Sequence, residues 1–292
     1  MQTVHTLDVL RKQIANLRDA GKGRPATIAL VPTMGALHEG HLTLVRRARE
    51  HCDHVVTSIF VNPTQFGPNE DLDAYPRDLE SDAALLERDG CTVLWAPPVG
   101  EMYPQGPANF VTNLTIKGIS EGLCGAARPG HFDGVLTVVC KLFNQVRPDM
   151  AFFGEKDWQQ LALIRTMTRD LDLVQPPAEA VIGVATVRES DGLAMSSRNR
   201  YLSREDRTKA GNLPRLMKQA IAAIEAGGNV ADTLGTLETE LVAAGFASVD
   251  YAVLADAATL APLARLNGQA ARLLVAARIG SARLIDNMAV GT

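Results

Sequence analysis

Short β-branched apolar runs alternate with helical runs through the first two thirds of this chain, and that alternation limits the folds open to it. Runs with strand character lie at 26–32, 54–61, 91–95, 109–113, 149–153 and 180–184. Apolar residues at helical spacing fill 40–51, 77–89, 131–147 and 157–170. Repetition of this kind predicts a mostly parallel sheet with helices on both faces, the α/β class. An N-terminal amphipathic helix, with Leu7, Leu10, Ile14 and Leu17 along one side, comes before it.

At 292 residues the chain exceeds what one core usually organises, so two units are expected. Character changes near 186–190, and the stretch 188–200 is poor in apolar residues and reads as a loop or linker. Beyond it, Ser203 is an N-cap candidate with Glu205 and Asp206 in the first turn. Pro214 is placed to split or kink that helix. A further helix fits 229–245, and strands fit 248–255, 271–277 and 281–288, giving a small α+β unit.

Charge and cysteines narrow the function. A net charge of −4 offers no basic footprint for nucleic acid, so an anionic substrate has to be met by local cations. No apolar run approaches the roughly 18 residues that span a bilayer. Arg11, Lys12, Arg18 and Asp19 make the N-terminus unlike a signal peptide. Cys52, Cys91, Cys124 and Cys140 show no Cys-x-x-Cys pairing and read as reduced thiols of a soluble intracellular protein.

In parallel sheets, ligands bind beyond the carboxyl ends of strands. Three strand-like runs here end in polar clusters, at 33–41, 62–65 and 155–157, which predicts one shared site. His38 and His41, three apart at a helix start, share a face beside the helix's unpaired N–H groups. That pairing suits the phosphates of a nucleotide. Taken alone, a pair of capping or surface histidines fits the same spacing.

Five stretches then resemble one family. They are Pro-Thr-Met-Gly-Ala-Leu-His-Glu-Gly-His at 32–41, Phe-Val-Asn-Pro-Thr-Gln-Phe at 60–66, Arg-Pro-Gly-His-Phe-Asp-Gly-Val at 128–135, Gly-Glu-Lys-Asp at 154–157 and Met-Ser-Ser-Arg-Asn at 195–199. In order and spacing they are similar to the pantothenate synthetase (pantoate–β-alanine ligase) family, of the HIGH-motif nucleotidyltransferase-like superfamily, over about residues 3–288. The 196–198 stretch resembles that superfamily's KMSKS loop. The resemblance implies a Rossmann-like parallel-sheet domain over 1–187 and a smaller α+β C-terminal lid domain over 188–292. It also implies a cytoplasmic homodimer that uses ATP and Mg²⁺, with (R)-pantoate and β-alanine as small-molecule substrates and neither nucleic acid nor membrane as partner.

The implied reaction has two steps. The carboxylate of pantoate attacks the α-phosphorus of ATP, giving pantoyl adenylate and pyrophosphate. The amine of β-alanine then attacks the acyl carbon and releases AMP with pantothenate. Because the first nucleophile is already an anion, catalysis is expected to rest on positioning and electrostatic stabilisation.

Residue by residue, the resemblance makes His41 the proton donor and groups it with His38, Lys156 and Arg198 as the catalytic set. Nucleotide contacts are expected from Met34, Gly35, Ala36, Leu37, His38, Glu39, Gly40 and His41. More come from Gly154, Glu155, Lys156 and Asp157, from the Val187 backbone, and from Met195, Ser196, Ser197 and Arg198. Asn62, Gln65 and Gln160 are the expected substrate amides, with Phe66, Val138 and Val139 walling the gem-dimethyl group of pantoate. Asp82 is the carboxylate chosen for Mg²⁺. The rival reading is a nucleotidyltransferase that moves AMP or CMP onto a phosphate-bearing acceptor. It needs extra cations and lacks the amide set. A non-catalytic nucleotide sensor has no need of the intact His38, His41, Lys156 and Arg198 set, and a tRNA synthetase fragment needs a basic face.

Overall fold

Six parallel strands form the larger sheet of the chain, seen here in a computed structural model that describes residues 1–21, 23–68, 70 and 72–291. Thr292, the last residue of the expected second unit, lies outside them. The elements run β1 (Gln2–Val4), α1 (Leu7–Asp19), β2 (Ile28–Thr33), α2 (Glu39–His51), β3 (His54–Ile59), α3 (Leu79–Arg88) and β4 (Val93–Trp95). Then follow α4 (Val99–Met102), α5 (Cys124–Ala127), α6 (His131–Val146), β5 (Met150–Gly154), α7 (Trp158–Asp170) and β6 (Val181–Val184). The C-terminal part has α8 (Arg204–Ala210), α9 (Asn212–Glu225), α10 (Val230–Ala243), β7 (Ser248–Asp256), β8 (Ala271–Ile279) and β9 (Ala282–Val290).

Strand order in the large sheet is β1–β4–β3–β2–β5–β6, and every pair is parallel. The chain steps outward from β2 in one direction, through β3 and β4, and in the other through β5 and β6. The carboxyl ends of β2 and β5 therefore flank the point where the topology reverses, which is where open α/β sheets make their crevice. In β2, Ile28, Ala29, Leu30 and Val31 are all fully buried, as a strand covered on both faces must be. Ile28 and Leu30 pack with Leu10, Leu136 and Leu161 on one face, while Ala29 and Val31 pack with Val45 and Leu86 on the other. That is the two-residue period of a strand.

A separate apolar cluster joins Met217, Leu241, Leu273 and Val275 beneath the antiparallel β7–β8–β9 sheet. The α/β class and the smaller α+β part stand as expected. Pro214 sits in the first turn of α9, where it is tolerated, and the helix is interrupted just before it at Gly211.

One expectation needs correction, and one strand was not expected. The run at 109–113 is no strand: Pro107–Asn109 is a 3₁₀ turn, and Val111 is 92% exposed. Phe110, Leu114, Ile116 and Ile119 instead lie over the main core as an irregular strap, burying their apolar surface without pairing to a sheet. Conversely β1, three residues paired in parallel with β4, is too short to show any periodicity in sequence.

Candidate functional site

A cavity of about 240 Å³ opens at the ends of β2 and β5. Met34, His38, Gly40 and His41 line it from the β2 side, and Gly154, Lys156, Asp157 and Gln160 from the β5 side. Gln65, Val187, Met195, Ser196, Ser197 and Arg198 complete it. Most of the expected site residues thus meet in one place although they come from separate stretches of chain. Phe66, Val138 and Val139 are in its wall with Phe60 and Phe153, so its inner end is apolar. Lys156, Asp157, Gln160, Ser196 and Arg198 also line a wider cleft of about 910 Å³ that runs toward β9.

The two histidines cap α2. His38 is the N-cap; its Nδ1 accepts the Gly40 N–H at 3.2 Å, and His41 Nδ1 accepts the His38 N–H at 3.4 Å. Both rings therefore carry their proton on Nε2. Their centroids are 4.1 Å apart. Gly40 permits this, because a Cβ there meets the His38 ring at 2.9 Å. Burial, reinforced by the nearby Lys156 charge, pushes His38 down to about 4. Burial with His38 and Lys156 alongside pushes His41 down to about 3. At neutral pH each is an uncharged Nε2–H donor. The expectation of unpaired amides at this helix start is revised: the Gly40 N–H is taken by a histidine ring, and the His41 N–H by the His38 carbonyl at 2.8 Å.

Asp82 departs from the role expected of it. Its two carboxylate oxygens accept the Ala36 N–H at 2.9 Å and the Leu37 N–H at 2.8 Å, and the residue is 4% exposed. It borders a different cavity, of about 400 Å³, behind the 34–37 turn and away from the one that holds His38, His41 and Lys156. Burial raises its pKa above the ordinary carboxylate value against the pull of those two backbone bonds. Ala36, held at φ 51°, is a non-glycine residue in the left-handed region, and the Asp82 bonds fix it there. Aimed at the amides of the turn and absent from the cavity that His38, His41 and Lys156 line, Asp82 is placed as the strut of the turn and not as a Mg²⁺ ligand facing the phosphates. Among the described residues no group of three or more His, Cys, Asp or Glu side chains is gathered to hold a metal. Gly35 borders the cavity behind that turn, Ala36 and Leu37 are buried in the turn, and Glu39 faces outward to pair with Arg46, so these four lie off the cavity that His38 and His41 line.

Asn62 is also behind the site. It is 1% exposed; its amide donates to Gln65 Oε1 at 3.3 Å and to the Gly134 carbonyl at 3.1 Å. Its Oδ1 accepts from Tyr103 Oη at 2.8 Å. Those bonds orient the Gln65 amide, whose Nε2 lies 2.9 Å from Met34 Sδ across the cavity wall. The contact with α6 is very close: a Cβ on Gly134 meets the Thr64 carbonyl oxygen at 2.5 Å. Gln159, beside the lining Gln160, is structural, tying α7 to the Ile119 and Gly122 carbonyls.

The Lys156 side chain is 19% exposed and 3.9 Å from the Asp157 carboxylate. Asp157 begins α7 without a side-chain cap bond. Glu155 turns away from the cavity and pairs with Arg272 at 2.8 Å. Across from them, Ser196 Oγ accepts the Arg198 N–H at 3.2 Å, and the Met195 N–H donates to the Val187 carbonyl at 3.0 Å. The serine loop is thus fastened to the backbone at Val187.

Arg128 and His131 fall in one of the five motifs, yet no role was expected of them. In the structure Arg128 makes two 2.6 Å bonds to Glu70, and its Nη1 lies 2.8 Å from His131 Nε2. Because a guanidinium only donates, His131 Nε2 accepts and its Nδ1–H donates to the Gln65 carbonyl at 2.8 Å. Burial, then the Arg128 charge, pushes His131 down to about 4. This relay is a second hold on Gln65. The Arg128-to-Val135 motif was its only trace in the sequence.

The comparisons with known proteins agree with this geometry. The family model described as pantoate-beta-alanine ligase matches residues 2–289. The pantothenate synthetase of Novosphingobium aromaticivorans is 65% identical over 100% of this chain and 99% of its own length. That of Sphingopyxis alaskensis is 57% identical over 100% of both. The crystal structure of pantothenate synthetase from Thermus thermophilus superposes with a TM-score of 0.86 at 48% identity, covering 99% of each chain. A Francisella tularensis pantoate-beta-alanine ligase, solved in complex with beta-gamma ATP and beta-alanine, matches with a TM-score of 0.79 at 33% identity, over 99% of this chain and 97% of that one. With the fold, the convergent site and these matches in agreement, the chain belongs to the pantoate–β-alanine ligase family.

Proposed function

We propose that this enzyme joins (R)-pantoate to β-alanine through a pantoyl adenylate, with release of pyrophosphate and then AMP. The observation that carries this reading is that phosphate-directed groups and neutral amides line one cavity: His38, His41, Lys156 and Arg198 beside Gln65 and Gln160. The nucleotide- and β-alanine-bound Francisella relative supports it. The amides hold the pantoate carboxylate by hydrogen bonds, leaving it more nucleophilic than an ion pair with arginine would. Phe66, Val138 and Val139 receive its gem-dimethyl group. As the carboxylate attacks the α-phosphorus and the bond to pyrophosphate breaks, negative charge grows on the leaving oxygens. The Lys156 ammonium, the Arg198 guanidinium and the two Nε2–H donors oppose it, and such preorganised groups contribute about 3–4 kcal/mol each in comparable sites. In the second step the β-alanine amine adds to the acyl carbon, the bond to AMP breaks, and the amine gives up one proton.

Gly154 and the Val187 backbone border the nucleotide in this reading, and the serine loop covers it. Mg²⁺ fits the reading as a companion of the ATP phosphates, where its preference for hard oxygen ligands is met; among the described residues no carboxylate cage is gathered for it. The cytoplasmic homodimer follows from the same family reading. Four free cysteines and the lack of any described helix long and apolar enough to cross a membrane are compatible with it. Light scattering in solution checks the dimer.

The test is isotope exchange between pyrophosphate and ATP. Exchange that needs pantoate but not β-alanine, with net AMP release needing both, is the expected result. Exchange driven by a phosphate-bearing acceptor instead overturns the reading in favour of a nucleotidyltransferase.

A further inference from the structure

The turn that carries Lys156 is held from the C-terminal sheet. Asn287, on β9 and 3% exposed, donates its amide hydrogens to the Glu155 carbonyl and the Lys156 carbonyl, both at 2.9 Å. Its Oδ1 accepts from Arg272 Nη1, and Arg272 Nη2 donates to Glu155 Oε2 at 2.8 Å. The Arg272 guanidinium lies 3.4 Å from the ring centroid of Trp158, whose Nε1 donates to the Ala257 carbonyl at 2.9 Å. The residue before Asn287 holds the opposite loop. Asp286, 2% exposed, makes a two-pronged pair with Arg188 at 2.7 and 2.9 Å. Arg188 also donates to the Gly192 carbonyl at 3.0 Å and bridges to Ala194, just ahead of Met195. Asp286 Oδ1 further accepts the Asn287 N–H at 2.8 Å.

Two consecutive residues of one strand therefore fasten both loops that face the proposed triphosphate. We propose that Asp286 and Asn287 are positioning residues for adenylate formation, setting the spacing between Lys156 and the Ser196–Arg198 loop. The inference rests on the reading that Lys156 meets the nucleotide phosphates. Neither residue belongs to the set that sequence motifs pointed to, and neither needs to touch substrate. Asn287 acts through the backbone of Lys156, and displacement by about 1 Å at such a group costs on the order of 100-fold in rate.

Asn287→Asp is the discriminating variant. It keeps the side-chain volume and the acceptor for Arg272 and removes both donors to the Glu155 and Lys156 carbonyls. Two half-reactions are measured on the full chain: pantoate-dependent pyrophosphate–ATP exchange, and pantothenate formation from synthetic pantoyl adenylate with β-alanine. The expected result is a roughly 10- to 100-fold fall in the exchange kcat, an unchanged pantoate KM, and a second half-reaction within about two-fold of the parent. Lys156→Ala is expected to lose exchange as well, and adding N287D to it to cost little more, since the two act as one unit. Unchanged exchange in N287D, or an equal loss in both half-reactions, overturns the proposal. If K156A alone keeps full exchange, the underlying reading of Lys156 falls, and this inference with it. If K156A is crippled while N287D is normal, only the positioning role fails. Should N287D not fold, Asp286→Asn, which weakens the hold on Arg188, is read by the same two assays and the same criteria.

Discussion

His38 and His41 stack with centroids 4.1 Å apart at the start of α2, and each accepts a backbone N–H on Nδ1. The capping box thus leaves Nε2–H as the donor of each ring, with the cavity bordered by both residues. Structural capping and the proposed phosphate recognition, which looked like competing explanations of the His-x-x-His spacing, call on opposite nitrogens of the same rings.

Stability is expected to depend on these rings being neutral. His38 and His131 sit at about 4 and His41 at about 3 in the folded chain, against 6.5 when unfolded. Below about pH 6.5 the unfolded state binds more protons than the folded one, so stability falls as pH drops from about 6.5 toward 4 and is unaffected above about 7. Thermal melts of the ligand-free protein from about pH 7.5 to 4.5 check this. His131→Asn should flatten the curve, and an unchanged slope counts against the neutral-ring assignment.

Removal of the His41 Nε2–H donor in His41→Ala should lower turnover by about 10²–10³-fold, the range for a preorganised donor facing developing charge. Circular dichroism should show the fold retained. Steady-state kinetics at saturating ATP and pantoate provide the measurement, and turnover within a few-fold of the parent refutes the role.

Gly134→Ala drives a methyl group into the Thr64 carbonyl, 2.5 Å away. A loss of about 1–3 kcal/mol in urea unfolding is expected from the overpacking. Because the same turn carries Gln65, pantoate KM should rise more than ATP KM. Equal changes in both would disconnect the turn from pantoate.

Asp82→Asn leaves an NH₂ group facing a backbone N–H. Loss of one charge-assisted bond and the resulting repulsion should cost about 1–3 kcal/mol. The Mg²⁺ concentration for half-maximal activity should stay unchanged, since Asp82 supports the 34–37 turn and borders another cavity. A marked shift in that Mg²⁺ dependence restores the residue as a metal ligand.

Where local chemistry repeats along the chain, the sequence was a good guide. β2, β3, β5, α2 and α6 are each long enough to show a pattern, and the polar clusters after β2 and β5 announced the crevice. Other features depend on contacts remote in sequence. Nothing near Asp82 tells that its partners are the amides of Ala36 and Leu37, 46 and 45 positions away. An acid in the first turn of a helix looks the same whether it faces water, a metal or another loop. Asn287 is likewise an ordinary polar residue in an edge strand until β9 is laid against the Lys156 turn. The 109–113 run misled for the opposite reason: of its two apolar residues, Phe110 covers the core sideways and Val111 faces outward.

The buckle formed by Asp82 has a consequence for how selectivity can drift. In many anion-binding loops the main chain itself grips the ligand, so recognition is built into the scaffold and is hard to mutate away. Here two of the loop's amides face an internal acid, leaving more of the recognition to exchangeable side chains. Such a scaffold is largely indifferent to its cargo: a handful of point changes on a fixed backbone could redirect it to another acid without reshaping the turn.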